Sequence, residues 1–196
     1  MLETKIKQIL GGKTEFENRF VKDFKQLGEL VTVLKKMGYK IVLTQGVYDL
    51  LHEGHAKYLE NAKSHGDILI VGVDSDELTR LRKGPTRPIV PQDERLKMLA
   101  HLRHVDFLVL RETKHEIGDL IRLVKPDVLI VSKSTTDFPK EMAMEYKNNC
   151  GQIVMLPPQS TTTTSARIRT LFIEGAEKLA SEINQLTKDF LEKFNK

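Results

Sequence analysis

The chain has 196 residues, 40% hydrophobic and 30% charged, a balance that fits a soluble domain with a core of its own and excludes a disordered or fibrous chain. A single cysteine, Cys150, excludes an internal disulfide framework and points to a reducing, cytoplasmic setting; no run approaches the ~20 apolar residues of a membrane helix, and Met1 to Leu10 mixes Glu3, Lys5 and Lys7 with apolar residues, unlike a signal peptide. The net charge of +4 suits a pocket for anionic small molecules better than nucleic acid, because no dense Lys/Arg run interleaves with aromatics and tryptophan is absent.

Residues 1–38 read as a helical extension with a break at Gly11-Gly12; Phe16, Phe20, Phe24, Leu27, Val31 and Leu34 fall at helical spacing. From 39 to 173 short apolar runs alternate with amphipathic stretches. Strands are expected at Lys40–Thr44, Asp67–Val73, Val105–Leu110, Asp127–Val131 and Gln152–Leu156. Helices are expected near Gly54–His65, Asp93–Leu102, Glu116–Val124 and Phe138–Asn149, and from about Thr164. Residues 174–196 set Leu179, Ile183, Leu186, Phe190 and Phe194 on one helical stripe; this stripe and the one at 16–34 are expected to pack within the chain. The pattern predicts an α/β fold: a Rossmann-like, doubly wound, five-stranded parallel sheet with added N- and C-terminal helices. Ligands of such sheets bind beyond the carboxyl ends of the strands, so chemistry is expected after the first, second and fourth strands and at the start of the last helix.

After the first strand comes Gly46-Val47-Tyr48-Asp49-Leu50-Leu51-His52-Glu53-Gly54-His55. Two imidazole donors meet a helix start there, and Gly54 permits close approach of a ligand, an arrangement suited to phosphate. The competing readings are two structural histidines in a turn, or a zinc site. The second is disfavoured because the spacing is i, i+3 and no third ligand lies nearby. Arg80, Arg82, Lys83, Arg87 and Arg95 line a stretch shaped by Gly84, Pro85, Pro88 and Pro91, read as a rigid cationic loop for polyphosphate. Thr161 to Ser165 precede Arg167 and Arg169 at a helix start, where hydroxyls cap N–H groups and also donate to phosphate. The register of that threonine run is open by one or two residues. Asp74 and Ser132-Lys133 follow the second and fourth strands. Gly11-Gly12-Lys13-Thr14 looks like the end of a phosphate-binding P-loop, but Lys7 stands where its first glycine belongs and no strand precedes it. Cys150 has no base partner in sequence and reads as an inert thiol.

The segment Gly46 to His55 resembles the His-x-Gly-His motif of the cytidylyltransferase-like nucleotidyltransferases. Arg82 to Pro91 with Glu94-Arg95 resembles the phosphate and substrate loop of the heptose-1-phosphate adenylyltransferases, and Thr161 to Arg167 resembles the family's Ile-Ser-Ser-Thr-x-x-Arg motif, degenerate in its first three positions. The resemblance covers about residues 25 to 173 and implies that 39–173 is the nucleotidyltransferase domain. It implies catalytic roles for His52, His55, Lys83 and Arg167. It implies nucleotide and phosphate contacts for Gly46, Val47, Tyr48, Asp49, Gly54, Arg95, Ser132, Lys133, Thr163 and Thr164, and substrate contacts for Asp49, Asp74, Arg82 and Arg87. It further implies Mg²⁺ carried by a nucleoside triphosphate, a phosphorylated small molecule as acceptor, and a homodimer. The expected reaction is transfer of AMP from ATP to a sugar 1-phosphate. The alternatives are a CTP enzyme acting on an alcohol phosphate of the glycerol 3-phosphate type, an FMN adenylyltransferase, or a binding module without turnover. Residues 131–138 depart from the Lys-Gly-Gly-Asp-like stretch usual in the heptose enzymes, which leaves the acceptor open.

Overall fold

Runs such as Ile41–Gly46 and Ile68–Asp74 are apolar at successive positions, so both of their faces need cover. In the computed structural model, which describes Thr4 and residues 15–116, 118–133, 146–161 and 163–194, they lie in the middle of a parallel sheet. The chain order is α1 (Phe16–Arg19), β1 (Phe20–Val21), α2 (Phe24–Lys36), β2 (Ile41–Gly46), α3 (Glu53–Lys63), β3 (Ile68–Asp74), α4 (Asp76–Lys83), α5 (Gln92–Ala100), β4 (Phe107–Arg111), α6 (Asp119–Val124), β5 (Val128–Ser132), β6 (Gln152–Leu156) and α7 (Thr164–Phe194). The strands stand in the order β1-β4-β3-β2-β5-β6, all parallel.

Side chains alternate across the strands. Ile41, Leu43, Ile68, Ile70, Phe107 and Val109 face one way, where Leu27, Leu30 and Leu34 of α2 and Leu120, Ile121 and Val124 of α6 cover them. Val42, Leu69, Val71, Val73 and Leu108 face the other, against Leu59 and Ala62 of α3 and Leu96 and Leu99 of α5. Each such leucine buried from water is worth about 2 kcal/mol, so the two layers fix which ends of the strands are left open for ligands.

The sheet has six strands where the sequence predicts five. The additional one, β1, interrupts the helical stripe expected from Phe16 to Leu34: Phe20 and Val21 pair with Leu108 and Val109. A two-residue strand is too short for alternation to reveal it. The stretch read as an irregular cationic loop also differs. Residues 76–83 are helical, because Ser75 caps the first turn (Leu78 N–H to Oγ, 3.1 Å), Asp76 and Glu77 favour its amino end, and Arg80, Arg82 and Lys83 its carboxyl end. The loop proper begins at Gly84, whose φ of 96° ends the helix. The expected helix over Phe138–Asn149 lies largely outside the described residues, and that over Glu116–Val124 is confined to Asp119–Val124.

The chain divides into a unit ending at Gln159 and a second from Ser160 to Lys196. The second unit is built on α7, 31 residues long and continuous through position 174. Thr163 is its N-cap, with Oγ1 accepting from the Ala166 N–H at 3.1 Å. Leu179, Ile183, Leu186 and Phe190 are exposed. No helix among the described residues is long and apolar enough to cross a membrane.

Candidate active site

Strand order reverses between β2 and β5, which places a crevice at their carboxyl ends. The β2–α3 turn occupies it. Gly46 ends β2 under the ring of Tyr48, where a Cβ would come within 3.1 Å of Cε2. Tyr48 and Leu50 both take the left-handed conformation, at φ 55° and 46°. Each costs about 1–2 kcal/mol for a residue with a side chain. Between them Asp49 is turned inward and buried, and the bonds it makes offset that strain. Its carboxylate accepts the N–H groups of Ile89 (3.0 Å) and Val90 (2.9 Å) and pairs with Arg87 (2.8 Å).

His52 is the N-cap of α3. Its Nδ1 accepts the Gly54 N–H at 3.0 Å, and Nδ1 of His55 accepts the His52 N–H at 3.4 Å, so the two rings cap the helix reciprocally. With Nδ1 an acceptor on both, the neutral rings carry their proton on Nε2. The rings lie 4.1 Å apart, and Tyr48 meets His55 edge-on at 5.7 Å. Burial, then the neighbouring His52 and Lys83, push the His55 pKa down to about 4 against the opposing pull of Asp49. At neutral pH His55 is therefore an uncharged N–H donor. Lys83, at the end of α4, supplies positive charge close enough to bear on it.

The other cations of the sequence are committed differently. Arg95, 1% exposed, donates to the carbonyls of Val47 and Val90 and pairs with Asp76 at 2.7 Å. It is a clamp joining α5 to the histidine turn and the loop, not a group facing the crevice as the resemblance implies. Arg87 is held by Asp49. Arg82 and Arg111 share Asp74, on Oδ2 at 2.6 Å and Oδ1 at 2.8 Å, so Asp74 is a buried counter-ion rather than an open substrate ligand. Burial, the largest influence, lowers the Arg111 pKa and Asp74 raises it. Val47 contributes through its carbonyl, and Gly54 through the N–H bound by His52. Ser132 ends β5 beside β2, and the Lys133 N–H bonds the Leu156 carbonyl at 2.9 Å. Thr164 and Arg167 stand on the first turn of α7, where the Arg167 N–H bonds the Thr163 carbonyl at 3.0 Å. The sequence reading missed Asp76 as the partner of Arg95, and also Arg111. The signal for Arg111 was a charged residue closing the apolar run Phe107–Leu110.

Two imidazoles on a helix amino terminus, at the switch point of a parallel sheet and with Lys83 close to His55, form an arrangement that can receive a phosphate group. The chain belongs to the cytidylyltransferase-like family, whose model matches residues 43–174. It is similar to the bifunctional protein HldE of Nitratiruptor sp. (48% identical over 113 residues, 57% of this chain and 24% of the relative) and of Aliarcobacter butzleri (38% over 154 residues, 78% and 32%). It thus spans a third or less of the length of these relatives. Among solved structures it resembles a lipopolysaccharide core biosynthesis protein from Thermoplasma volcanium, with 30% identity, a TM-score of 0.54, and 62% of this chain and 98% of that one covered. Pantoate-beta-alanine ligase from Francisella tularensis shares the fold, at 19% identity and a TM-score of 0.56 over 75% of this chain and 69% of that one.

Proposed function

We propose that the chain transfers AMP from ATP to a sugar 1-phosphate and releases pyrophosphate. The observation that carries this reading is the reciprocal capping of α3 by His52 and His55, which leaves Nε2 of each ring as its donor atom, with His55 neutral and close to Lys83. An acceptor phosphate oxygen attacks the α-phosphorus, the new O–P bond forms, and the bond to the β-phosphate oxygen breaks with its electron pair leaving on pyrophosphate. The acceptor is already an anion, so no base has to remove a proton. Catalysis is positioning plus stabilisation of charge on the α-phosphate oxygens by His55, His52 and the positive end of the α3 dipole. Uncharged donors suit this task because they bind the developing charge without holding pyrophosphate tightly as an ion pair.

Mg²⁺ enters as part of the substrate, on the triphosphate. The roles of Thr164 and Arg167 on the β- and γ-phosphates, and the homodimer, rest on the family resemblance; a cytoplasmic setting rests on the single cysteine. ATP rather than CTP is favoured by the Lys83-Gly84-Pro85-Thr86-Arg87-Pro88 segment. The departure at residues 131–138 leaves the acceptor open, and a CTP enzyme acting on an alcohol phosphate is the second reading. Pyrophosphate release with ATP, CTP, GTP and UTP against sugar 1-phosphates, glycerol 3-phosphate and FMN tests both. Release with ATP and a sugar 1-phosphate is expected. Release only with CTP and glycerol 3-phosphate establishes the second reading, and nucleotide binding without release from any pair overturns both.

A further inference from the structure

Beyond the histidine turn, a second polar group lies at the carboxyl end of the sheet. Gln45, Gly72 and Val109 are adjacent across β2, β3 and β4, and Asp74 is paired with Arg111 one step further along. Gly72 is the gap over which two long side chains converge: a Cβ there would stand 3.0 Å from Cδ of Arg111, 3.5 Å from Cγ of Gln45 and 2.5 Å from Cδ2 of Leu120. The Arg111 side chain is 3% exposed. Its Nη1 is bound to Asp74, but Nε and Nη2 have no hydrogen-bond partner among the described residues, and neither does Oε1 of Gln45. Two unused donors and one unused acceptor therefore share one trough beside Leu120. Native proteins rarely leave such groups unpaired, and their cost is recovered when a ligand supplies the missing partners.

The trough lies on the α2/α6 face of the sheet, while α3 covers the other face. Gln45 directly precedes Gly46, the start of the histidine turn. A molecule whose phosphate meets the α-phosphorus at His55 extends its remote end over the strand ends toward Gln45 and Arg111. We infer that Gln45 and Arg111 read the non-reacting end of the acceptor, and that this end carries neighbouring hydroxyl groups. A hydroxyl both accepts from a guanidinium N–H and donates to an amide oxygen, so a pair of them satisfies all three atoms. An alkyl end satisfies none, and a second phosphate leaves the Gln45 oxygen unserved. The acceptor class is therefore a phosphorylated sugar or polyol. This inference rests on the transfer reaction proposed above and narrows its substrate.

The test compares the full-length protein with its Gln45→Leu, Arg111→Met and Arg111→Lys variants. Mannose 1-phosphate, D-glycero-D-manno-heptose 1-phosphate and glycerol 3-phosphate are used as acceptors, the first set against 4,6-dideoxymannose 1-phosphate and the last against propyl phosphate. Pyrophosphate release gives KM and kcat, and calorimetry gives ATP affinity. In Arg111→Met the KM for the hydroxylated acceptor is expected to rise about tenfold or more, with kcat and ATP affinity within about twofold. The preference for the hydroxylated over the deoxy acceptor collapses toward unity, and Arg111→Lys recovers part of it. Gln45→Leu moves the same preference in the same direction, and it removes no side-chain hydrogen bond among the described residues, so it carries the test should Arg111→Met unfold. Unchanged preference in Gln45→Leu and in a folded Arg111 variant, with the wild type turning over, overturns this inference alone. Absence of turnover with every acceptor, in wild-type protein that binds ATP, overturns the transfer reaction and this inference with it.

Discussion

The histidine turn and the loop that follows α4 are both rich in groups suited to phosphate, yet they use them in opposite ways. In the turn from Gly46 to His55, the side chains spend their Nδ1 atoms on backbone N–H groups, which leaves Nε2–H as the donor on each ring. In the loop from Gly84 to Pro91 and its flanks, Arg87 and Arg95 spend their charge internally, on Asp49 and on Asp76 with two carbonyls. A basic residue in a glycine- and proline-rich loop is thus no measure of the charge that a ligand meets. Arg87 and Arg95 hold the frame, and in the proposed reaction the histidines with Lys83 face the chemistry.

The largest effect that distinguishes the two regions is expected at Arg95. Arg95→Met strands Asp76 and two carbonyls in the interior and should cost about 3–5 kcal/mol of stability. Chemical denaturation measures it; a stable protein that has merely lost ATP affinity would reverse the assignment of Arg95 to the frame. His55→Ala should do the converse. A fall in kcat of about a hundredfold, or about 2.7 kcal/mol, is expected with the unfolding midpoint nearly unchanged. Steady-state kinetics beside a melting curve decides this, and near-full turnover would remove His55 from catalysis.

The pH dependence sharpens the same contrast. His55 is held at about 4 in the folded protein, below the ordinary value of 6.5. The unfolded chain therefore binds the extra proton between those values, and stability falls as pH drops from about 6.5 toward 4. The part due to His55 should vanish in His55→Gln, as read from denaturation midpoints at pH 7 and pH 4.5. Over pH 6 to 8 kcat should show no titration of this ring. The smallest effect belongs to the second unit: Thr163→Ala removes the cap of α7 and should cost about 1 kcal/mol of helix stability, seen as earlier loss of helical signal on heating.

Much of the fold was legible because a buried parallel strand has to be apolar at consecutive positions. Ile68–Asp74 and Val128–Ser132 announce themselves in that way, and their order with the intervening helices implies the sheet. Phe20–Val21 does not, because two residues contain no period, and the phenylalanines around it also fit a helix. Helix α4 was hidden by the prolines and glycine that follow it, although Ser75 and the acid-to-base gradient from Asp76 to Lys83 were in plain view. Within the site, the histidine turn was legible from its spacing. The fate of the arginines was not, since Arg95 finds Asp76 across 19 positions and Val47 across 48, and sequence shows a charge without its partner.

The short strand β1 bears on how copies of this chain meet. Without it, β4 would border the sheet and present a row of unbonded amide and carbonyl groups to any passing chain. Phe20 and Val21 occupy the middle of that row, and the buried Arg19 guanidinium donates to the Val105 carbonyl just before it. The border is closed by the protein's own chain. Two molecules of this protein therefore do not associate by joining β4 to β4 into one continuous sheet, whereas a form shortened to begin at residue 24 uncovers that border and invites edge-to-edge aggregation.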